Sequence, residues 1–178
     1  MREIKLYMAS SIDGFIARQD GDLDWLTGFP NPGKSDYGYK DFFNSIDTVI
    51  IGSHTYHGIL GMDVKWPYQG KKCYIISHNI GASNPGQDIE YITENIIEEI
   101  SRLKTNDGKD IWLAGGGKSV SLLLDAGLLD SMIITYIPKV LGDGIPLFPD
   151  RIKESDWLAV NTLLYENGVI QIEYQVKN

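Results

Sequence analysis

Apolar residues come in short blocks along this chain, and the spacing inside each block separates strands from helices. Ile4-Lys5-Leu6-Tyr7-Met8-Ala9 reads as a first strand, Ser10-Ser11-Ile12-Asp13-Gly14 as a loop, and Phe15-Ile16-Ala17 as a short extended piece. Gly28, Pro30, Pro32, Gly33 and Gly38 make residues 27–38 mostly loop. A short helix is expected over residues 36–45, with Tyr39, Phe42 and Phe43 as its inner face. Thr48-Val49-Ile50-Ile51, Cys73-Tyr74-Ile75-Ile76, Ile89-Glu90-Tyr91-Ile92, residues 111–114 and Met132-Ile133-Ile134-Thr135-Tyr136-Ile137 are strand runs. A helical turn is expected near residues 56–60. Ile96, Ile97, Ile100 and Leu103 recur at helical spacing, with Thr93 or Asn95 as the cap of a helix running to Lys104. A helix over residues 119–126 should stop at Gly127, a natural residue to end on. Residues 158–165 and 169–176 face each other across Glu166-Asn167-Gly168, a hairpin signal.

Strands that alternate with helices and then close in a hairpin describe one α/β domain over residues 1–178. Its sheet is mixed, mainly parallel, with a C-terminal antiparallel hairpin. Ligands of such sheets sit at the carboxyl ends of the strands. Three loops fall there: Gly52-Ser53-His54-Thr55, Ser77-His78-Asn79 and Gly115-Gly116-Gly117.

The last of these carries the strongest chemical signal. The strand ending in Leu113-Ala114 meets three glycines and passes at once into a helix through Lys118 and Ser119. Free N–H groups and the helix dipole favour an anion there, and missing side chains let a phosphate approach the backbone. Gly117-Lys118-Ser119 resembles the end of a P-loop, but Trp112 stands where that motif needs its first glycine. The dinucleotide fingerprint is also broken, with Val120 in place of its last small residue. A turn that merely joins strand to helix is the alternative.

Composition narrows the classes. The net charge of −8 disfavours nucleic acid and anionic membranes as partners. Cys73 is the only cysteine, so an intrachain disulfide and a cysteine zinc site are ruled out. No apolar run is long enough to span a membrane, and the first residues lead straight into a strand pattern, so a cytoplasmic protein is expected. His54 and His57 have no third ligand at matching spacing, and no metal is expected. Glu94, Glu98 and Glu99 read as the solvated face of their helix, and Tyr56, Trp66 and Tyr68 as core or as a stacking wall.

Taken in order, several segments resemble the dihydrofolate reductase superfamily, and more closely its branch shared with the C-terminal reductase domain of the riboflavin biosynthesis protein RibD. These are Met8-Ala9-Ser10-Ser11-Ile12-Asp13-Gly14-Phe15-Ile16-Ala17, residues 47–56, Tyr74-Ile75-Ile76-Ser77, Leu113-Ala114-Gly115-Gly116-Gly117 and residues 138–148. The resemblance covers essentially the whole chain. It implies a three-layer α/β/α dihydrofolate reductase-like fold, a homodimer, and NADPH bound across the sheet edge for reduction of a C=N or C=O bond. The acceptor would be a pteridine- or pyrimidine-like small molecule, the leading case being 5-amino-6-(5-phosphoribosylamino)uracil.

By the same resemblance Ala9, Ile16 and Ala17 would line the nicotinamide, and Gly52, Ser53, His54 and Thr55 would meet the phosphates. Ser77 and His78 would flank the adenosine, Gly115, Gly116, Gly117 and Lys118 would hold the pyrophosphate, and Ala114 and Ser119 would also bind the cofactor. Many relatives carry arginine where this chain has Ser53, which leaves NADH open and His54 or Lys118 to meet a 2′-phosphate. Asp36 lies near the place of the carboxylate that supports protonation in dihydrofolate reductases, and Asp13 is open between turn formation and the substrate pocket. Asp24-Trp25 would belong to a lid, or be solvated loop. Gly142-Asp143-Gly144 is a tight turn, with a place near the cofactor as the other reading. A ligand-binding protein that keeps the fold without catalysis is the alternative function.

Overall fold

A computed structural model describes residues 1–81, 88–149 and 151–177. Its main sheet has eight strands in the order β5-β4-β3-β6-β1-β7-β10-β9. These are β1 (Ile4–Ser11), β3 (Ile46–Gly52), β4 (Lys72–Ile76), β5 (Ile89–Ile92), β6 (Asp110–Gly115), β7 (Ser131–Ile137), β9 (Trp157–Leu164) and β10 (Ile170–Val176). The first six are mutually parallel, and β10 runs antiparallel to both β7 and β9. A second, two-stranded sheet pairs β2 (Phe15–Ala17) with β8 (Ile145–Pro146).

Helices cover both faces, as an α/β sheet of near-continuous apolar strands requires. On one face Ile100 and Leu103 of α4 (Ile96–Thr105) and Val120 and Leu123 of α5 (Gly117–Asp125) bury Leu6, Ile50, Leu113 and Ile134. On the other, Phe42 of α2 (Tyr39–Ser45) and Tyr56 of α3 (Ser53–Gly61) pack with Val49, Ile51, Ile75 and Trp112. The four-residue α1 (Asp24–Thr27) drops Trp25 onto Ile137 and Val169 in a third cluster. The three layers expected from the sequence are present.

The differences lie at element ends. β1 runs on through Ser10-Ser11, which read as loop, because both pair with β7, up to Ser11 opposite Ile137. The helix expected from residue 36 begins at Tyr39; Asp36 instead accepts the backbone N–H groups of Gly38 and Lys40 and starts the turn. The turn near residues 56–60 is a full helix from Ser53, and α5 begins at Gly117, two residues before the expected start. Asn95 precedes α4, but in left-handed geometry and without a side-chain capping bond. Gly127 ends α5 as expected: its N–H bonds to Leu124 and that of Leu128 to Leu123, the paired bonds of a Schellman turn. The hairpin closes as a three-residue loop, with Gly168 at φ 83° donating to the Tyr165 carbonyl.

Tyr56 and Tyr68 are core residues, and Asp24, expected in a loop, is the exposed first residue of α1, paired with Arg18 at 2.5 Å. Leu113, fully buried at the centre of the sheet, tests the layer assignment. Leu113→Ala should cost about 3 kcal/mol in urea unfolding, lowering the midpoint without changing the slope. A loss below about 1 kcal/mol would mean that this position is not the centre of a close-packed layer.

Candidate functional site

Strand register brings the three suspected loops to one edge. Gly52 pairs with Ile76, so Ser77 follows directly beside the start of α3, and Ile51 pairs with Gly115 on the other side. Ala9 lies on β1 at the same end, two residues before the strand stops. The structure therefore gathers Ala9, residues 52–55, Ser77, His78 and residues 114–119 along the carboxyl edge of the parallel strands.

Two helices begin at that edge without side-chain caps. The cap position of α3 is Gly52 and that of α5 is Gly116, and neither has a side chain to satisfy the first turn. Their leading N–H groups have no intrahelical acceptor. In α5 the Gly116 carbonyl takes the N–H groups of Ser119 and Val120, leaving those of Gly117 and Lys118 at the tip. The two starts touch. Thr55 Oγ1 accepts the Gly116 N–H at 3.0 Å, and a Cβ on Gly52 would stand 2.6 Å from Ser119 Oγ. The Thr55 hydroxyl thus ties α3 to the glycine turn, and Ser119 is buried between the helices. Ser53 is half-buried, and His54, His78 and Lys118 are exposed around the two starts.

Each glycine of the run answers a local demand. Gly115 and Gly116 have φ of 114° and 23°, which L side chains rarely adopt. Gly117 is packed under the strap of residues 146–149, where a Cβ would stand 2.7 Å from the Pro149 ring and 2.8 Å from the Pro146 carbonyl oxygen. The run alone therefore needs no ligand; the pair of uncapped helix starts supplies the anion-attracting feature.

That strap also carries the edge toward β1. Ala17 pairs with Ile145, Phe15 with Pro146, and the Leu147 N–H bonds to Gly14. A Cβ on Gly144 would lie 2.3 Å from the Ala17 carbonyl oxygen, so this turn is moulded against β2. Ala17 is buried, while Ile16 packs against the core cluster that includes Val120 and Leu123 of α5. Ile145, Pro146 and Pro149 thereby join the Ile16-Ala17 segment to Gly117, a connection no local motif announces.

The two candidate acids are both engaged. Asp13 is exposed and accepts the Ser11 hydroxyl at 2.6 Å, the Leu141 N–H at 3.1 Å and the Gly142 N–H at 2.7 Å. The Ser11 hydroxyl, together with these backbone donors, holds its carboxyl down at about 2. Asp36 is exposed at the entrance of α2. Asp13 stitches the loop after β1 to the loop before β8.

The polar groups that reach the sheet face near Ala9 were not read from the sequence. Thr135 pairs with Ala9, Gln171 pairs with Thr135, and both are buried. Gln171 Nε2 donates to Thr135 Oγ1 at 2.8 Å and to the Tyr37 carbonyl at 2.9 Å, and the Tyr7 hydroxyl donates to that carbonyl at 2.8 Å. Burial pushes the Tyr7 phenol up to about 12, so it stays a donor at neutral pH. Thr135 and Gln171 each interrupt an apolar strand run, which was the available signal.

The loops stitched by Asp13 give a pH signature. A carboxyl held below its ordinary 3.8 contributes stability above that value and loses it as pH falls toward 2. Asp13→Asn should thus lower the thermal midpoint at about pH 6, and the gap to wild type should narrow by about pH 2. A gap independent of pH would show that the charge on Asp13 is not what joins the loops.

No helix among the described residues is long and apolar enough to cross a membrane, and no three metal-ligating side chains cluster there. A protein-family model, RibD C-terminal domain, matches residues 62–171. Protein YwjB of Bacillus subtilis is 41% identical over 175 residues, 97% of each chain. A candidate riboflavin biosynthesis protein of Shewanella sp. PV-4 superposes with a TM-score of 0.88 at 27% identity over 99% of both chains. Dihydrofolate reductase of Enterococcus faecalis, solved with NADP(H), shares the fold alone at TM-score 0.67 and 17% identity, over 99% of this chain and 97% of its own. The carboxyl-edge site with its two helix starts thus lies on a dihydrofolate reductase-like sheet, and the chain belongs to the RibD C-terminal domain family.

Proposed function

We propose that this protein is an NADPH-dependent reductase of a small pyrimidine- or pteridine-like heterocycle, with 5-amino-6-(5-phosphoribosylamino)uracil as the leading acceptor. The observation that carries the reading is the meeting of two uncapped helix N-termini, α3 and α5, at the Thr55–Gly116 bond on the carboxyl edge. Such an arrangement suits a pyrophosphate, which needs donors converging from two sides. The residues present fit a nicotinamide dinucleotide: residues 52–55 and 114–119 for the phosphates, Ser77 and His78 for the adenosine side, and Ala9, Ile16 and Ala17 for the nicotinamide. That cofactor, when bound, supplies a hydride.

The chain's own contribution is placement and exclusion of water. Gly117 and Lys118 bring backbone N–H groups to the tip of α5, and Thr55, by accepting the Gly116 N–H, fixes the spacing between the two helix starts. Asp13 holds the loop of residues 11–14 against Leu141 and Gly142, and Asp36 holds the start of α2. In this reading both carboxylates position loops beside the acceptor. A 2′-phosphate would be met by Lys118 or His54, the exposed basic groups at the helix starts, in place of an arginine at position 53. Homodimerisation belongs to the same reading and is supported by the last strand of the sheet, β9, which presents Leu158, Val160, Leu163 and Leu164 exposed.

The test is loss of NADPH absorbance with 5-amino-6-(5-phosphoribosylamino)uracil and, separately, dihydrofolate as acceptor. Turnover of the first in preference to the second is the expected result. Thr55→Val should raise the KM for NADPH about tenfold with little change in kcat, since it removes the acceptor of the Gly116 N–H. Binding of NADPH with no oxidation by either acceptor would favour a ligand-binding protein of the same fold.

A further inference from the structure

Tyr37 has φ 52°, a conformation costly for a bulky side chain. Such a residue persists only where its surroundings over-determine it. Here they do. Its carbonyl receives the Tyr7 hydroxyl at 2.8 Å and Gln171 Nε2 at 2.9 Å. Its phenol oxygen receives Asn167 Nδ2 at 2.7 Å, and its ring meets Tyr165 edge-on with centroids 4.8 Å apart. Asn167 Nδ2 also holds the Pro30 carbonyl at 2.9 Å. Apart from Tyr7, these holders come from the C-terminal hairpin, and none comes from the glycine edge.

Gln171 is the residue that joins this holding to the site. It is 8% exposed, faces Thr135 across the ladder, and Thr135 in turn faces Ala9. Its Nε2 lies within hydrogen-bond reach of three oxygens: Thr135 Oγ1, the Tyr37 carbonyl and, at 3.4 Å, Tyr7 Oη. A carboxamide is the side chain of this size that brings two N–H donors without a charge. A glutamate here would present only acceptors to that cluster, and a leucine would strip the half-buried Tyr37 carbonyl of one of its two donors.

We infer that Gln171 is a positioning residue for the acceptor half of the site: with Tyr7, which stands two residues before Ala9 on β1, it fixes the Tyr37 carbonyl and thereby holds residues 29–38, so acceptor affinity depends on it and cofactor affinity does not. What the segment serves rests on the reductase reading; that Gln171 holds it does not. The holding is separate from the dinucleotide edge, whose donors lie on α3 and α5.

The test compares wild type with Gln171→Leu, Gln171→Glu and Tyr7→Phe by hydrogen exchange and by NADPH titration. Amide exchange in residues 29–38 should rise about tenfold or more in both Gln171 variants and less in Tyr7→Phe, which keeps the Gln171 link between Thr135 and the Tyr37 carbonyl. The Kd for NADPH should stay within about twofold, and the KM for whichever of the two acceptors is turned over should rise about tenfold with kcat little changed. Thr48→Val, which removes a buried hydroxyl bonded to Arg2 at 2.6 Å, is the control for general destabilisation and should leave exchange at residues 29–38 unaltered. Unchanged exchange in Gln171→Leu, a matching rise in Thr48→Val, or Gln171→Glu behaving as wild type would overturn the holding role. A parallel loss of NADPH affinity would overturn the separation of the two halves. Wild-type protein that binds no NADPH, or turns over neither acceptor, would overturn the acceptor assignment while the exchange result still decides the holding.

Discussion

The ligand edge of this protein depends on how the free N–H groups at the starts of α3 and α5 are satisfied. A helix end without a cap leaves donors that cost free energy when buried away from an acceptor. One donor, from Gly116, is taken by Thr55, and this bond sets the two helix starts side by side. Among the described residues the N–H groups of Gly117 and Lys118 at the tip have no acceptor. Side-chain caps at positions 52 and 116 would stabilise the helices and fill the place an anion needs. Glycine at both leaves a dipole-favoured gap, and the fold tolerates it because the apolar faces of α3 and α5 are secured elsewhere, by Tyr56 on one layer and by Val120 and Leu123 on the other.

A second constraint comes from the far end of the chain. The β9–β10 hairpin does more than extend the sheet, because Tyr165, Asn167 and Gln171 reach back about 130 residues to Tyr37 and Pro30. Tyr37 and Pro30 are thereby tied to the hairpin of the last two strands of the sheet. The strap of residues 145–149 works in the same way on the cofactor side, closing over Gly117 and pairing with β2. The two halves of the edge are thus held by different pieces of the C-terminal third, while β1 lies between them.

Much of this was legible in the sequence for a simple reason: strands buried on both faces read as continuous apolar runs. Thr48-Val49-Ile50-Ile51 and Cys73-Tyr74-Ile75-Ile76 fall inside β3 and β4. The layers and the carboxyl-edge loops followed from their alternation with helices. Element ends were harder, because pairing decides them: Ser10 and Ser11 are polar yet belong to β1 through register with β7. The tethering of residues 29–38 left almost no local trace. Asn167 carries a turn signal in sequence and a long-range hydrogen bond in space, and Tyr37 looks like a loop aromatic until its carbonyl is traced to Gln171. Asp36 holds its own turn through the nearby N–H groups of Gly38 and Lys40, whereas Asp13, beside the Ser11 hydroxyl, meets Leu141 and Gly142 only because the fold brings them there.

The central claim is that the paired helix starts form a dinucleotide site, and the most direct measurement is an equilibrium titration with NADPH and NADH followed by tryptophan fluorescence. The account predicts saturable NADPH binding with a Kd on the order of micromolar, in the range usual for enzymes and their substrates. It also predicts that Gly117→Val, which would push a side chain into the Pro146–Pro149 strap and the helix tip, weakens that binding by at least about tenfold. No binding of either nucleotide by the folded wild-type protein would contradict it, and would leave Gly115, Gly116 and Gly117 as a turn required only by the backbone.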